Sequence, residues 1–369
     1  MLVLITVALS CFAPLAFAQN RPQMPIEPYP YESIEVTIPC GVEDEDAEPT
    51  HTLAGTLTIP DEAEFGAGPF VGVVLMSGSG PQDRDETLMG HKPFLVLADY
   101  LTRHGVMVLR YDDRGVGDST GSFAGTTTIG FSEDAQTAAH FLMEHQSVDP
   151  SKVGIMGHSE GGLAAPFIAD RDESIAFIVL LAGTGVPISE VLIDQTAAMY
   201  RSGGNDEAYI EAAMSARRAL FDALSAGADE QTLLELVMDL NSAEWGITDE
   251  EQLRTVSERM MPSFTEPWLR AALSLDPREP LSRIKIPVLA LNGTKDFQVS
   301  PRLNLDAIRD ALEKGGNTRY TVVELAGLNH LFQHAETGML HEYAVIEETF
   351  APEALALIES WIRSVIAED

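Results

Sequence analysis

Six short, largely apolar runs constrain this chain more than any other feature, at residues 70–76, 106–109, 153–156, 175–181, 286–291 and 320–325, the last carrying Thr321 and Glu324. Runs of this length and composition read as buried strands. Among them lie stretches with apolar residues at helical spacing, at 93–104, 132–145, 162–169, 303–313 and 352–366. Strand alternating with helix predicts an α/β architecture, a mostly parallel central sheet with helices on both faces. Ahead of these, 33–38 and 52–59 alternate apolar and polar residues around the acidic stretch 43–48, which predicts an antiparallel hairpin at the start of the sheet.

The alternation stops over 186–280, which is rich in Ala, Leu, Met and Glu with helical periodicity and holds no convincing strand. This interval reads as a helical cap inserted over one edge of the sheet, dividing the core into 33–185 and 281–369. Its Met199, Met214, Met238, Trp245, Met260, Met261, Phe264 and Trp268 read as the insertion's own core before they read as the wall of a substrate pocket. Pro22, Pro25, Pro28 and Pro30 mark 19–32 as an extended linker. Residues 2–18 carry no charge, are mostly apolar and end in Ala16-Phe17-Ala18, so 1–18 reads as a signal peptide of an exported, periplasmic or extracellular protein. A membrane anchor is the competing reading, at the short limit for a span. Removal of that segment takes Cys11 with it and leaves Cys40 alone, which excludes an internal disulfide and a two-cysteine metal site.

Asp and Glu number 57 against 23 Lys and Arg, a formal net charge of −34. Such a field repels phosphate backbones and anionic lipid, so neither nucleic acid nor a membrane surface is expected as partner. The chain has no H-E-x-x-H, no G-x-x-x-x-G-K and no dinucleotide fingerprint, so no metal or other cofactor is expected.

The pattern G-x-S-x-G occurs at Gly157–Gly161 and at Gly117–Gly121. The bare pattern is weak, and context separates the copies. The first follows the apolar run 153–156 directly and opens a helical stretch, the strand-turn-helix that pushes a serine oxygen out of the sheet. The second runs into a Gly- and Thr-rich loop, so Ser119 reads as a loop residue and Ser159 as the candidate nucleophile. A hydroxyl needs a base, and His330 follows the run 320–325 after a short loop, at the same strand-end edge. Asp296 follows the run 286–291 through a tight turn, as an acid that would orient the histidine. The order Ser159, Asp296, His330 is the nucleophile, acid, base order of strand-end triads. A helix opening behind Ser159 aims the Glu160 N–H at a developing oxyanion. After the run 70–76, the Ser77-Gly78-Ser79-Gly80 loop supplies a second donor, Ser79 N–H, with Gly78 as the alternative. Asp83, Arg84 and Asp85 behind it read equally as a buried ion-pair network or a solvated turn.

The segments Ser77–Glu86, Leu109–Gly115, Gly157–Gly162 and Leu291–Asp296 resemble bacterial α/β-hydrolase esterases, the acyl esterase or S33 serine aminopeptidase-like family. The resemblance is strong in the sheet and weak across the insertion. It implies the α/β-hydrolase fold, carboxylic ester hydrolysis of a small-molecule substrate without a cofactor, and a triad of Ser159, Asp296 and His330. A peptidase on the same scaffold, or an inactive binding protein, are the rival expectations. Relatives often carry His-Gly before the oxyanion donor where this chain has Ser77-Gly78.

Overall fold

The computed structural model describes residues 20–41 and 48–367. The signal-peptide reading of 1–18 falls outside the described residues, as does most of the acidic loop. Eight strands form one sheet: β1 (Glu32–Cys40), β2 (His51–Ile59), β3 (Phe70–Met76), β4 (Val106–Tyr111), β5 (Val148–His158), β6 (Ile178–Leu181), β7 (Val288–Gly293) and β8 (Tyr320–Leu325). Their spatial order is β1-β2-β4-β3-β5-β6-β7-β8. The β1–β2 hairpin joins β4 antiparallel, and every later pairing is parallel. Five parallel crossovers require intervening helices, and the helical stretches of the sequence supply them.

Side-chain parity divides the core between the two faces of the sheet. Val74 and Met76 of β3, Ile155 of β5 and Ala290 of β7 pack with the helices Thr128–Met143, Glu160–Arg171 and Pro301–Gly315. Val73 and Leu75, Met156, and Leu289 and Leu291 face the other way, onto the helices Pro93–Thr102 and Pro352–Ala367. Both residue sets must be apolar, which is why these strands read as unbroken runs. Each of the Val, Leu, Ile and Met side chains contributes about 1.5–3 kcal/mol by leaving water. Among the described residues this burial acts without a disulfide, since Cys40 is a buried free thiol.

Val186–Asp276 groups into a unit of its own together with 125–128. Its helices are Ile188–Ser202, Glu207–Ser225, Glu230–Trp245, Glu250–Phe264 and Pro267–Leu273. Three begin on an aspartate, Asp206, Asp229 and Asp249, whose side chain accepts from the N–H three residues on, at 2.8, 2.9 and 2.8 Å. Each cap satisfies a donor that the helix cannot. Met214, Met261 and Phe264 pack into this unit's own core with Leu220, Val237 and Leu240, as the sequence reading favoured, whereas Trp245 is exposed.

The Pro-rich segment before β1 is not a free tether. Arg21 donates to the carbonyls of Ile346 and Met89, at 2.5 and 3.0 Å, and Gln23 exchanges hydrogen bonds with Thr349 and Phe350. Prolines keep this strap extended, and its two long polar side chains fasten it to the C-terminal connection. No helix among the described residues is long and apolar enough to cross a membrane.

Candidate active site

Ser159 follows the last residue of β5 and caps the helix Glu160–Arg171, with φ 54° and ψ −110°. A non-glycine residue held there stores about 1–3 kcal/mol of strain, so its surroundings must fix it. They do so through backbone contact. Ser159 N–H donates to Leu181 O on β6 at 2.9 Å, and Ser159 O accepts from Leu163 N–H at 3.0 Å. A Cβ on Gly157 would stand 2.2 Å from Gly161 C and O, and one on Gly161 would stand 2.3 Å from Met76 O. Glycine at both positions therefore lets strand, turn and helix close on one another. The other G-x-S-x-G serine is structural: Ser119 Oγ donates to Asp112 O and accepts from Ala54 N–H.

Asp296 lies in the turn after β7 with its side chain fully buried. Its Oδ1 accepts from the N–H groups of Gln298 and Val299, at 2.8 and 2.9 Å, and its Oδ2 lies 2.7 Å from His330 Nδ1. Three donors on one carboxylate fix its plane. His330 rides a loop pinned by Asn329, whose Oδ1 accepts from the N–H groups of Leu331 and Gln333. The β7 and β8 turns are laced together where Lys295 N–H donates to Leu328 O. The three sequence-picked residues thus share the carboxyl-end rim of the sheet. No hydrogen bond joins Ser159 Oγ to His330 among the described residues, as is common before substrate tightens such a site.

Two residues without an assigned role in the sequence reading bind these pieces together. Buried His158, one position before Ser159, has Nδ1 2.8 Å from Glu86 Oε1 and Nε2 2.9 Å from His330 O. Its ring stands 4.7 Å from that of His330. Glu86 Oε1 also accepts from Gly78 N–H at 2.8 Å. Burial opposes charging His158, but the adjacent Glu86 carboxylate and its hydrogen bond outweigh it and raise the imidazole's pKa. Gly78 N–H, the alternative weighed for the oxyanion donor, is the group engaged by this contact. Ser79 is the next residue along the same loop, and Glu160 opens the helix behind Ser159.

Of Asp83-Arg84-Asp85, the last two enter an ion-pair network, while Asp83 Oδ1 accepts from the N–H groups of Asp85 and Thr87 in the turn. Arg84 holds Asp112 through Nε and Nη2, at 3.1 and 2.8 Å, and Asp85 pairs with Arg110 and Lys92. Asp113, beside the Ser77–Gly80 loop, has no such cation among the described residues. It accepts from Ser77 Oγ and Gln82 N–H, and burial pushes its pKa up to about 8. The folded state therefore holds a proton that the unfolded state, at about 3.9, has released. That stability is complete below pH 4 and is lost as pH rises toward 8. Asp113→Asn is expected to flatten this decline, melting above wild type at pH 8.5 and level with it at pH 4. Thermal denaturation at both values checks it, and equal melting at pH 8.5 would show Asp113 is not held neutral.

Cys40, His51 and Asp134 form a buried cluster with metal-ligand atom types. Its carboxylate is already taken by Arg114, through Nε at 2.6 Å and Nη2 at 2.7 Å, and burial pushes the Cys40 thiol up to about 12. A guanidinium and a protonated thiol suit a structural ion pair better than a cation site.

A mostly parallel eight-stranded sheet, covered by helices on both faces, with a strained serine turn after β5, is the α/β-hydrolase fold. The chain belongs to a hydrolase family, the S33 serine aminopeptidases, whose model matches residues 92–336. It is 28% identical over 306 residues to the esterase EstD of Thermotoga maritima, covering 83% of this chain and 64% of that one. It therefore spans somewhat less than two thirds of that relative's length. Among solved structures, a proline iminopeptidase of Mycobacterium smegmatis superposes with a TM-score of 0.52 at 15% identity, covering 91% of this chain and 100% of that one. The esterase Pf2001 of Pyrococcus furiosus does so at 0.50 and 14%, covering 90% and 93%. At these identities the superpositions speak for the fold alone.

Proposed function

We propose that this protein is a serine hydrolase that cleaves small carboxylic esters through an acyl-enzyme. The observation that carries the reading is the 2.7 Å contact of His330 Nδ1 with a fully buried, triply bonded Asp296, on a loop whose residue 330 carbonyl bonds the side chain next to Ser159. With its Nδ1 proton committed to Asp296, the ring presents Nε2 as the basic nitrogen. His330 takes the Ser159 proton as Oγ attacks the ester carbonyl, and the N–H groups of Glu160 and Ser79 receive the oxyanion. The protonated ring then returns its proton to the leaving alkoxide. Water repeats the sequence on the acyl-serine, with His330 as base again.

The similarity to EstD favours an ester, while the serine aminopeptidase family favours an amide next to a free amine. The two differ in the leaving group and in the need to bind an ammonium. Parallel assays of p-nitrophenyl acyl esters and aminoacyl p-nitroanilides separate them. Ester turnover at least about a hundredfold above anilide turnover is the expected result. The reverse ratio would make the chain a peptidase, and failure to label with a fluorophosphonate would make it neither.

A further inference from the structure

We propose that Glu86 and His158 form a second carboxylate–imidazole pair, ionised on both sides, that acts as a positioning clamp between the oxyanion loop and the His330 loop. The proposal rests on the reading of Ser159 and His330 as the reacting pair. Both ring nitrogens of His158 meet oxygen, a carboxylate at 2.8 Å and a backbone carbonyl at 2.9 Å. A carbonyl cannot donate, so Nε2 carries a proton. Glu86 Oε1 already accepts from Gly78 N–H, which suits an ionised oxygen receiving a second proton donor from Nδ1. Imidazolium and carboxylate satisfy all of these contacts at once.

Geometry gives the pair its task. Glu86 is buried and has φ 53°, a left-handed conformation that a glutamate keeps only when its side chain is needed where that backbone aims it. Through one oxygen and one ring it joins three segments that are distant in sequence: Gly78 after β3, residue 158 at the end of β5, and His330 after β8. A Cβ on Gly78 would come within 3.2 Å of Ser159 Cβ and 3.1 Å of Glu86 Oε1, so the oxyanion loop is clamped directly against the elbow. With Gly78 N–H held by Glu86, the register of the following Ser79 peptide is set. With His330 O held by His158, the base cannot drift from Ser159. Neither Glu86 nor His158 is required to touch the reacting atoms.

Histidine-labelled nitrogen NMR of the full chain tests the charge state, with His158→Gln used for assignment. His158 should keep both ring nitrogens protonated at pH 7.5, about a unit above the ordinary imidazole value, and lose one in Glu86→Gln. An unprotonated His158 nitrogen in the wild type would overturn the ionised pair, whether or not any variant folds. Kinetics on p-nitrophenyl acetate test the task. Glu86→Gln should lower kcat by about 10- to 100-fold with KM within about twofold, and Glu86→Gln with His158→Gln should cost no more than either alone. A folded Glu86→Gln protein with kcat within twofold of wild type would overturn the clamp. Ser159→Ala run alongside keeps the two ideas apart. Activity surviving in Ser159→Ala overturns the reading of Ser159 and His330, and a kcat loss in Glu86→Gln then cannot be credited to a clamp on them.

Discussion

Ser159→Ala is expected to lower ester turnover by about a millionfold while leaving the melting temperature unchanged or slightly raised. The hydroxyl makes no hydrogen bond among the described residues, so its removal leaves no buried partner unsatisfied. Alanine keeps the Cβ that packs beside Gly78 and the N–H that donates to Leu181. Asp296→Asn provides a chemically different route to the same conclusion. Its carbonyl would still accept from Gln298 and Val299, which turns the amide NH2 toward His330 Nδ1. The ring must then carry its proton on Nε2, facing Ser159, where it cannot act as base. A loss of about ten-thousandfold in kcat with little change in KM is expected. Steady-state kinetics, with active sites counted by fluorophosphonate titration, check both variants, and a kcat within tenfold of wild type in either would remove that residue from the mechanism.

The sheet was legible because a strand buried on both faces cannot carry polar side chains, so β3, β4, β6 and β7 announce themselves. β5 begins at Val148, well before the apolar run at 153–156, because Asp149, Ser151 and Lys152 lie at its exposed start. The helices Glu250–Phe264 and Pro267–Leu273 were harder to see. Pro262 lies inside the first, and only Ser257, Met261 and Phe264 of its residues are buried. Ser159, Asp296 and His330 could be picked because each follows a readable strand, and parallel strands deliver their carboxyl ends to one rim. Glu86 and His158 could not, since their pairing spans 72 residues and exists only because β3 lies beside β5. Arg21 and Gln23 were hidden for a related reason: proline composition reports an extended backbone and says nothing of what its polar side chains reach.

Gly161→Ala sets two local rules against each other and is expected to be strongly destabilising. Gly161 lies in the first turn of the helix Glu160–Arg171, where helix propensity alone favours alanine by about 1 kcal/mol. The added Cβ, however, would stand 2.3 Å from Met76 O and 2.8 Å from Ser77 O, both backbone atoms at the end of a central strand. No rotamer relieves such a contact, so either β3 or the helix must move, and each is packed on both sides. A loss of about 3 kcal/mol or more is expected, seen as a melting temperature lower by at least roughly 5 °C. Gly203→Ala is the control, because it has an ordinary φ of −74° and its Cβ would find nothing closer than 3.4 Å. That variant should melt within a degree or two of wild type. If Gly161→Ala did the same, the end of β3 would be able to yield at no cost, and close backbone packing could not be what holds Ser159 in its strained conformation.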